Sequence, residues 1–156
     1  MAEERAYKDL WEHIEELDKA DLLYRIDKPV NKDTEMHPLV RWQFRGGIAE
    51  AERKAFLFTN VVDSKGRQYD IPVLIGGLAA NPEIYRIGMA ADTLDDIGPL
   101  WERGLNQPVS TNVVAEAPCQ EIVMTGSEVQ GAGNGLDALP IPISTPGYDT
   151  GPYFTA

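Results

Sequence analysis

Few groups in this 156-residue chain could do chemistry. Gly131-x-Gly133-x-Gly135 is spaced as a loop that could cradle a phosphate. That chemistry needs a strand before the loop and a helix start after it, so that main-chain amides converge on the anion. Here Leu136-Asp137-Ala138-Leu139-Pro140 follows, and Pro140 opposes a long helix. The spacing predicts a flexible loop rather than a phosphate site. His13 and His37 are the only histidines, and no Cys or carboxylate stands at metal-ligand spacing from either. Surface or capping roles are expected of both. Cys119 has acidic neighbours, which disfavour a nucleophilic thiolate, so a buried structural cysteine is expected. Glu15-Glu16 and Asp95-Asp96 are adjacent on helical stretches and point in different directions, so each reads as a solvated face and not a catalytic dyad.

The elements that would position such groups are legible as periodicities. Tyr7, Leu10, Trp11, Ile14 and Leu17 recur at helical spacing and predict an amphipathic helix over about 6–18. Leu22 to Ile26 is a short apolar run closed by Lys28-Pro29, hence a strand. Met36, Leu39, Val40 and Phe44 make a second helical stripe that stops at Gly46-Gly47, with Pro38 in the first turn. Ala55 to Val62 and Ile71 to Ile75 read as two strands in a hairpin-like pair, joined through the turn Asp63-Ser64-Lys65-Gly66. Asn81-Pro82-Glu83 is a helix start running to about Met89. Thr93 and Asp96 form a weaker cap before Leu94, Ile97, Leu100 and Trp101, where Pro99 should kink or shorten the helix. Cys119 to Thr125 reads as a strand. From Gly126 onward Gly and Pro dominate, so connecting chain is expected, poorly tied down.

Composition removes several classes. Hydrophobic residues are 43% and charged residues 25%, an ordinary globular balance. The net charge of −11 would repel a nucleic-acid backbone or an anionic membrane, and no basic patch offsets it. One cysteine excludes an internal disulfide and every Cys-rich zinc pattern. No stretch approaches the ~20 apolar residues of a membrane span, and the charged N-terminus is no secretory leader. A soluble, cytoplasmic protein is expected. Residues 104–156 contain no Lys or Arg, yet carry Glu116, Glu121, Glu128, Asp137 and Asp149. Taken residue by residue, no catalytic set stands out.

The ordered strings say more. After the opening helix come Arg25-Ile26-Asp27-Lys28-Pro29-Val30, then Ala55 to Val61, Ile71 to Gly76 and Ile122 to Gly126. Leu139-Pro140-Ile141-Pro142 and Gly147-Tyr148-Asp149-Thr150-Gly151-Pro152-Tyr153-Phe154-Thr155-Ala156 complete the series. In this order they resemble the N-terminal region of the UbiD-like decarboxylase family, over nearly the whole chain. The resemblance implies reversible non-oxidative decarboxylation of aromatic or α,β-unsaturated carboxylic acids. It implies prenylated FMN as cofactor, supplied by a flavin prenyltransferase, with a divalent metal (Mn or Mg) and K at its phosphate. The cofactor would serve as electron sink while the protein orients substrate and delivers a proton. A homo-oligomer is expected.

Family chains are much longer, and the catalytic and metal-ligating residues of the family are expected beyond residue 156. Thr155 is the one position that carries over, as a cofactor-side threonine at the start of a flavin-domain strand. The expected fold is α+β. Residues 1–105 would be an N-terminal α/β subdomain of helices on a small mixed sheet. Residues 106–156 would be a linker and the first strands of a split-barrel flavin domain, incomplete. Such a piece should be inactive alone, because a flavin phosphate needs cations or converging amides. The alternative is a short non-catalytic subunit or assembly module derived from the same family.

Overall fold

The computed structural model describes residues 7–152. Its elements are α1 (Leu10–Lys19), β1 (Leu23–Ile26), β2 (Val30–Asn31), α2 (Met36–Arg45), β3 (Ala55–Phe58), β4 (Val61–Val62), β5 (Gln68–Tyr69), β6 (Val73–Ile75), α3 (Pro82–Gly88) and α4 (Ile97–Asn106), with short 3-10 turns between and after them. The fold is α+β, with two small three-stranded mixed sheets where one was expected. One sheet has the order β1-β3-β6 and the other β2-β4-β5.

The two sheets arise from two stretches of chain running side by side. β1 pairs parallel with β3, and β2 continues parallel with β4. Both stretches break at the same level, because Pro29 has no N–H to give a ladder. Thr59 N–H still reaches Ile26 O at 3.0 Å and Val30 N–H reaches Asn60 O at 3.0 Å, so the stretches stay together across the break. The strand expected over Ala55–Val62 is therefore two strands in two sheets. Parallel pairing requires a crossover, and α2 lies within it. β6 then returns antiparallel to β3, as the hairpin-like reading expects.

β3 is buried along its whole length, which explains its uninterrupted apolar sequence. Side chains alternate across a strand. Ala55 and Leu57 face a cluster with Ile14, Leu17, Ile84 and Ile87, so α1 and α3 cover that side. Phe56 and Phe58 face Val30, Met36, Val40, Val61 and Tyr69, so α2 and the second sheet cover the other. The Asp9 carboxylate caps α1, accepting from Trp11 N–H at 2.9 Å and Glu12 N–H at 3.2 Å. Asn81 caps α3 through Ile84 N–H at 3.0 Å, with Pro82 at the first helical position.

Several expectations are corrected. Leu10 and Trp11 are exposed, and the buried face of α1 is His13, Ile14 and Leu17. Pro99 does not kink a helix: Thr93 and Asp96 form a capping box on a 3-10 turn, and α4 starts at Ile97, so Pro99 sits in its first turn, where no N–H is needed. No residue of 107–152 is in a strand. Cys119–Thr125, read as a strand, is instead a 3-10 turn followed by exposed chain, since no sheet edge lies alongside to share its hydrogen bonds. Cys119 is exposed rather than buried. No helix among the described residues is long and apolar enough to cross a membrane.

Candidate functional site

The glycine loop lies between two 3-10 turns, Gly126–Val129 and Gly135–Ala138, with neither the strand nor the helix that phosphate binding requires. Gly131, Gly133 and Gly135 all have positive φ, which explains the residue type. Their backbone wraps a group of the chain's own. Gly133 N–H donates to Asp137 Oδ2 at 2.6 Å, and Arg67 Nη1 donates to the same oxygen at 3.1 Å and to Asp137 O at 2.7 Å. A carboxylate thus occupies the place an anion would take. Beside it, Ile122, Met124, Val129 and Leu136 line a concavity of about 700 Å³ in which Asn134 and Asp137 are the polar side chains.

The histidines are not a pair. His13 is 5% exposed, packed edge-on against Tyr7, with Nε2 2.7 Å from Gly77 O. A carbonyl only accepts, so Nε2 carries the hydrogen. Nδ1 is buried with no hydrogen-bond partner among the described residues. His13 is therefore a core residue joining α1 to the loop before α3, not the surface or capping residue expected. His37 lies in the first turn of α2. Burial and the neighbouring Arg41 guanidinium hold its imidazole below the ordinary value, opposed by Asp149. No group of three or more His, Cys, Asp or Glu among the described residues could hold a metal ion.

Three residues that carried no signal in the sequence matter more. Lys32, just after β2, is 7% exposed. Its Nζ meets Asp33 Oδ1 at 2.6 Å and Ile141 O at 3.1 Å, and lies 5.9 Å from the centre of the Tyr69 ring. Burial works to raise the Asp33 carboxyl. Hydrogen bonds from Lys32 and from Ser64 prevail and hold it below its ordinary 3.8. Burial and the Asp63 charge raise the Tyr69 hydroxyl. Arg41, on α2, donates through Nη2 to Ser144 O at 2.8 Å and Thr145 Oγ1 at 3.1 Å. Arg67, on the turn into β5, stacks over Tyr69 at 4.6 Å while holding Asp137. Lone Lys and Arg residues in loops and helices look like solvated charges until the fold brings residues 137–145 against them.

Residues 137–145 are consequently docked, which corrects the expectation of a loosely tied segment after Gly126. Pro140 and Ile141 are buried, and Ile143 N–H donates to Lys32 O at 3.2 Å. Residues 126–132 are exposed throughout. Thr155 lies outside the described residues. The glycine loop and the cations beside it do not fit a flavin phosphate: the amide at Gly133 is taken by Asp137, and the cations that reach residues 137–145 are engaged with its carbonyls.

No family model matches the chain. Solved structures do. HmfF from Pelotomaculum thermopropionicum, a UbiD-class enzyme in complex with FMN, superposes with a TM-score of 0.68 at 27% identity, over 94% of this chain and 29% of that one. Vanillic acid decarboxylase from Sedimentibacter hydroxybenzoicus matches in its open form, with TM-score 0.59 at 25% identity, over 77% of this chain and 25% of that one. Its closed form matches with TM-score 0.60 at 25% identity, over 78% and 25%. The strings and the backbone lead to one conclusion: the chain is UbiD-like, and it spans from 25% to 29% of the length of these solved relatives.

Proposed function

We propose that these residues form the N-terminal supporting part of a UbiD-like carboxy-lyase. Its reaction is the reversible non-oxidative decarboxylation of an aromatic or α,β-unsaturated carboxylic acid with prenylated FMN. The observation that carries this reading is the likeness, over 94% of the chain, to an FMN complex of a UbiD-class enzyme. In this reading residues 1–105 are an α/β subdomain, and residues 106–156 lead into a split-barrel flavin domain. Thr155 is the cofactor-side residue. The proton donor and the ligands for the divalent metal and K belong to polypeptide beyond residue 156. A flavin prenyltransferase supplies the cofactor, and the parent protein is a homo-oligomer. The engaged Gly133 amide and the three engaged cations support a scaffolding role for the chain taken alone.

Two measurements separate the parts of this reading. Prenylated FMN titrated into the purified 156-residue chain is expected to leave the flavin spectrum unchanged. Binding at micromolar concentration or tighter, or CO2 release by this chain alone, would end the scaffolding role. The parent coding sequence, co-expressed with a flavin prenyltransferase, is expected to yield a flavin-loaded protein that releases CO2 from unsaturated or aromatic acids. A flavin-free, inactive product would end the lyase reading. Thr155→Val should then loosen flavin in the loaded protein.

A second reading is a short non-catalytic subunit or assembly module. Leu105 near the end of α4, with Val113, Val114, Ile122 and Val123 in the chain after it, favours it, because all five are exposed apolar residues. A stop codon directly after Ala156 in the native frame would select it.

A further inference from the structure

Residues 104–156 have no basic side chain, and basic side chains from the rest of the chain hold one part of them, residues 137–145. Arg67 donates to Asp137 O at 2.7 Å, Lys32 to Ile141 O at 3.1 Å and Arg41 to Ser144 O at 2.8 Å. The three cations come from three places: the turn into β5, the turn after β2, and α2. They meet the segment in the order in which it runs. Each of these bonds is to a main-chain carbonyl, which every residue type carries, so the segment is gripped through its backbone. Among the described residues one main-chain bond joins it to the second sheet region, Ile143 N–H to Lys32 O at 3.2 Å. Among the described residues no ladder takes over the work, so the cations are the principal polar attachment.

We propose that Lys32, Arg41 and Arg67 form a clasp that seats residues 137–145 as a strap across the second sheet and α2. The strap ends in a turn in which Asp149 N–H donates to Thr145 O at 3.0 Å and the Asp149 carboxylate accepts from Thr145 N–H. The clasp therefore fixes where the chain leaves the body on its way to Thr155. That last consequence rests on the function proposed above; the clasp itself does not. Hydrogen bonds from charged donors are the stronger kind, and that to Ile141 O is buried where water competes little.

Amide hydrogen exchange of the 156-residue chain tests the clasp. Arg41→Gln removes the guanidinium from a half-buried site and should leave the core intact. Exchange at Ile141, Ile143 and Thr145 is expected to rise about tenfold, the size set by losing one charge-assisted hydrogen bond, while β3 amides keep their protection. Lys32→Met should do the same at Ile141 and Ile143. Arg41→Lys should restore most of the protection, because one nitrogen makes both Arg41 bonds and no bidentate fork is needed. Strap amides that exchange in Arg41→Gln as in the parent would overturn the clasp. Should Lys32→Met loosen β3 as well, Arg41→Gln alone decides. No flavin enters this experiment, so its failure removes the clasp and leaves the lyase reading standing, while a flavin-free, inactive parent protein does the reverse.

Discussion

Buried polar side chains in this protein each answer a specific main-chain demand. Gln43 on α2 is the clearest. Its Nε2 donates to Lys54 O at 2.9 Å and its Oε1 accepts from Lys54 N–H at 3.0 Å, so one amide satisfies both backbone groups just before β3. Gln43→Leu keeps the volume and orphans both; a loss of about 2–3 kcal/mol in urea unfolding is expected. His37 should set a pH dependence. Burial and Arg41 hold its folded-state imidazole below the ordinary 6.5, so the folded protein binds this proton less readily than the unfolded chain. Its contribution to stability is complete above about pH 6.5 and declines as pH falls through the lowered folded value. Thermal unfolding followed between pH 7.5 and 5 should show a falling midpoint, and His37→Gln should flatten the slope in that window. An unchanged slope would show that His37 is not the titrating group. Spacing along the chain does not place His13, because burial of a single imidazole depends on which helix face meets α3.

At the scale of elements, local chemistry did most of the work. Asp9, Pro38, Asn81-Pro82 and the Thr93–Asp96 pair mark helix starts that the structure contains. Asn81 also shows where local rules stop. Its Oδ1 caps α3, and its Nδ2 donates to Arg53 O on another segment, so it joins α3 to the approach to β3. Asn81→Asp keeps the cap acceptor but loses the donor, while Asn81→Ala loses both. Chemical denaturation should rank Asn81→Ala below Asn81→Asp and the parent above both, with Asn81→Ala costing about 2 kcal/mol. Equal stabilities of the two variants would mean that the Arg53 bond contributes nothing. The misread elements share one cause. Cys119–Thr125 has a strand's composition but no strand beside it, and Ala55–Val62 is split by a break imposed from Pro29 on its neighbour. Strand existence depends on a partner that the strand's own residues do not encode.

At the scale of the whole molecule, stability is concentrated around β3. Leu57 is 1% exposed at the centre of the first sheet, whereas Val113 is 98% exposed. Leu57→Ala is expected to cost about 3 kcal/mol, and Val113→Ala to change stability by no more than about 0.5 kcal/mol. Paired thermal melts would check both. A glutamate-specific protease should cut first at Glu116, Glu121 and Glu128, which are exposed in chain without ladder bonds, and leave the body around β3 whole. Early cleavage at Glu12 or Glu83 instead would contradict this distribution. The sequence by itself determined the α+β class, the helix starts at Asn81-Pro82 and after Thr93, and the family likeness, because these follow from periodicity, capping chemistry and the order of short strings. Only the tertiary structure decided that there are two sheets, that Asp137 fills the glycine loop, and that Lys32, Arg41 and Arg67 meet the strap. Those outcomes join residues as much as 109 positions apart, and backbone carbonyls look alike in every sequence, so no pattern along the chain marks which ones a distant cation will find.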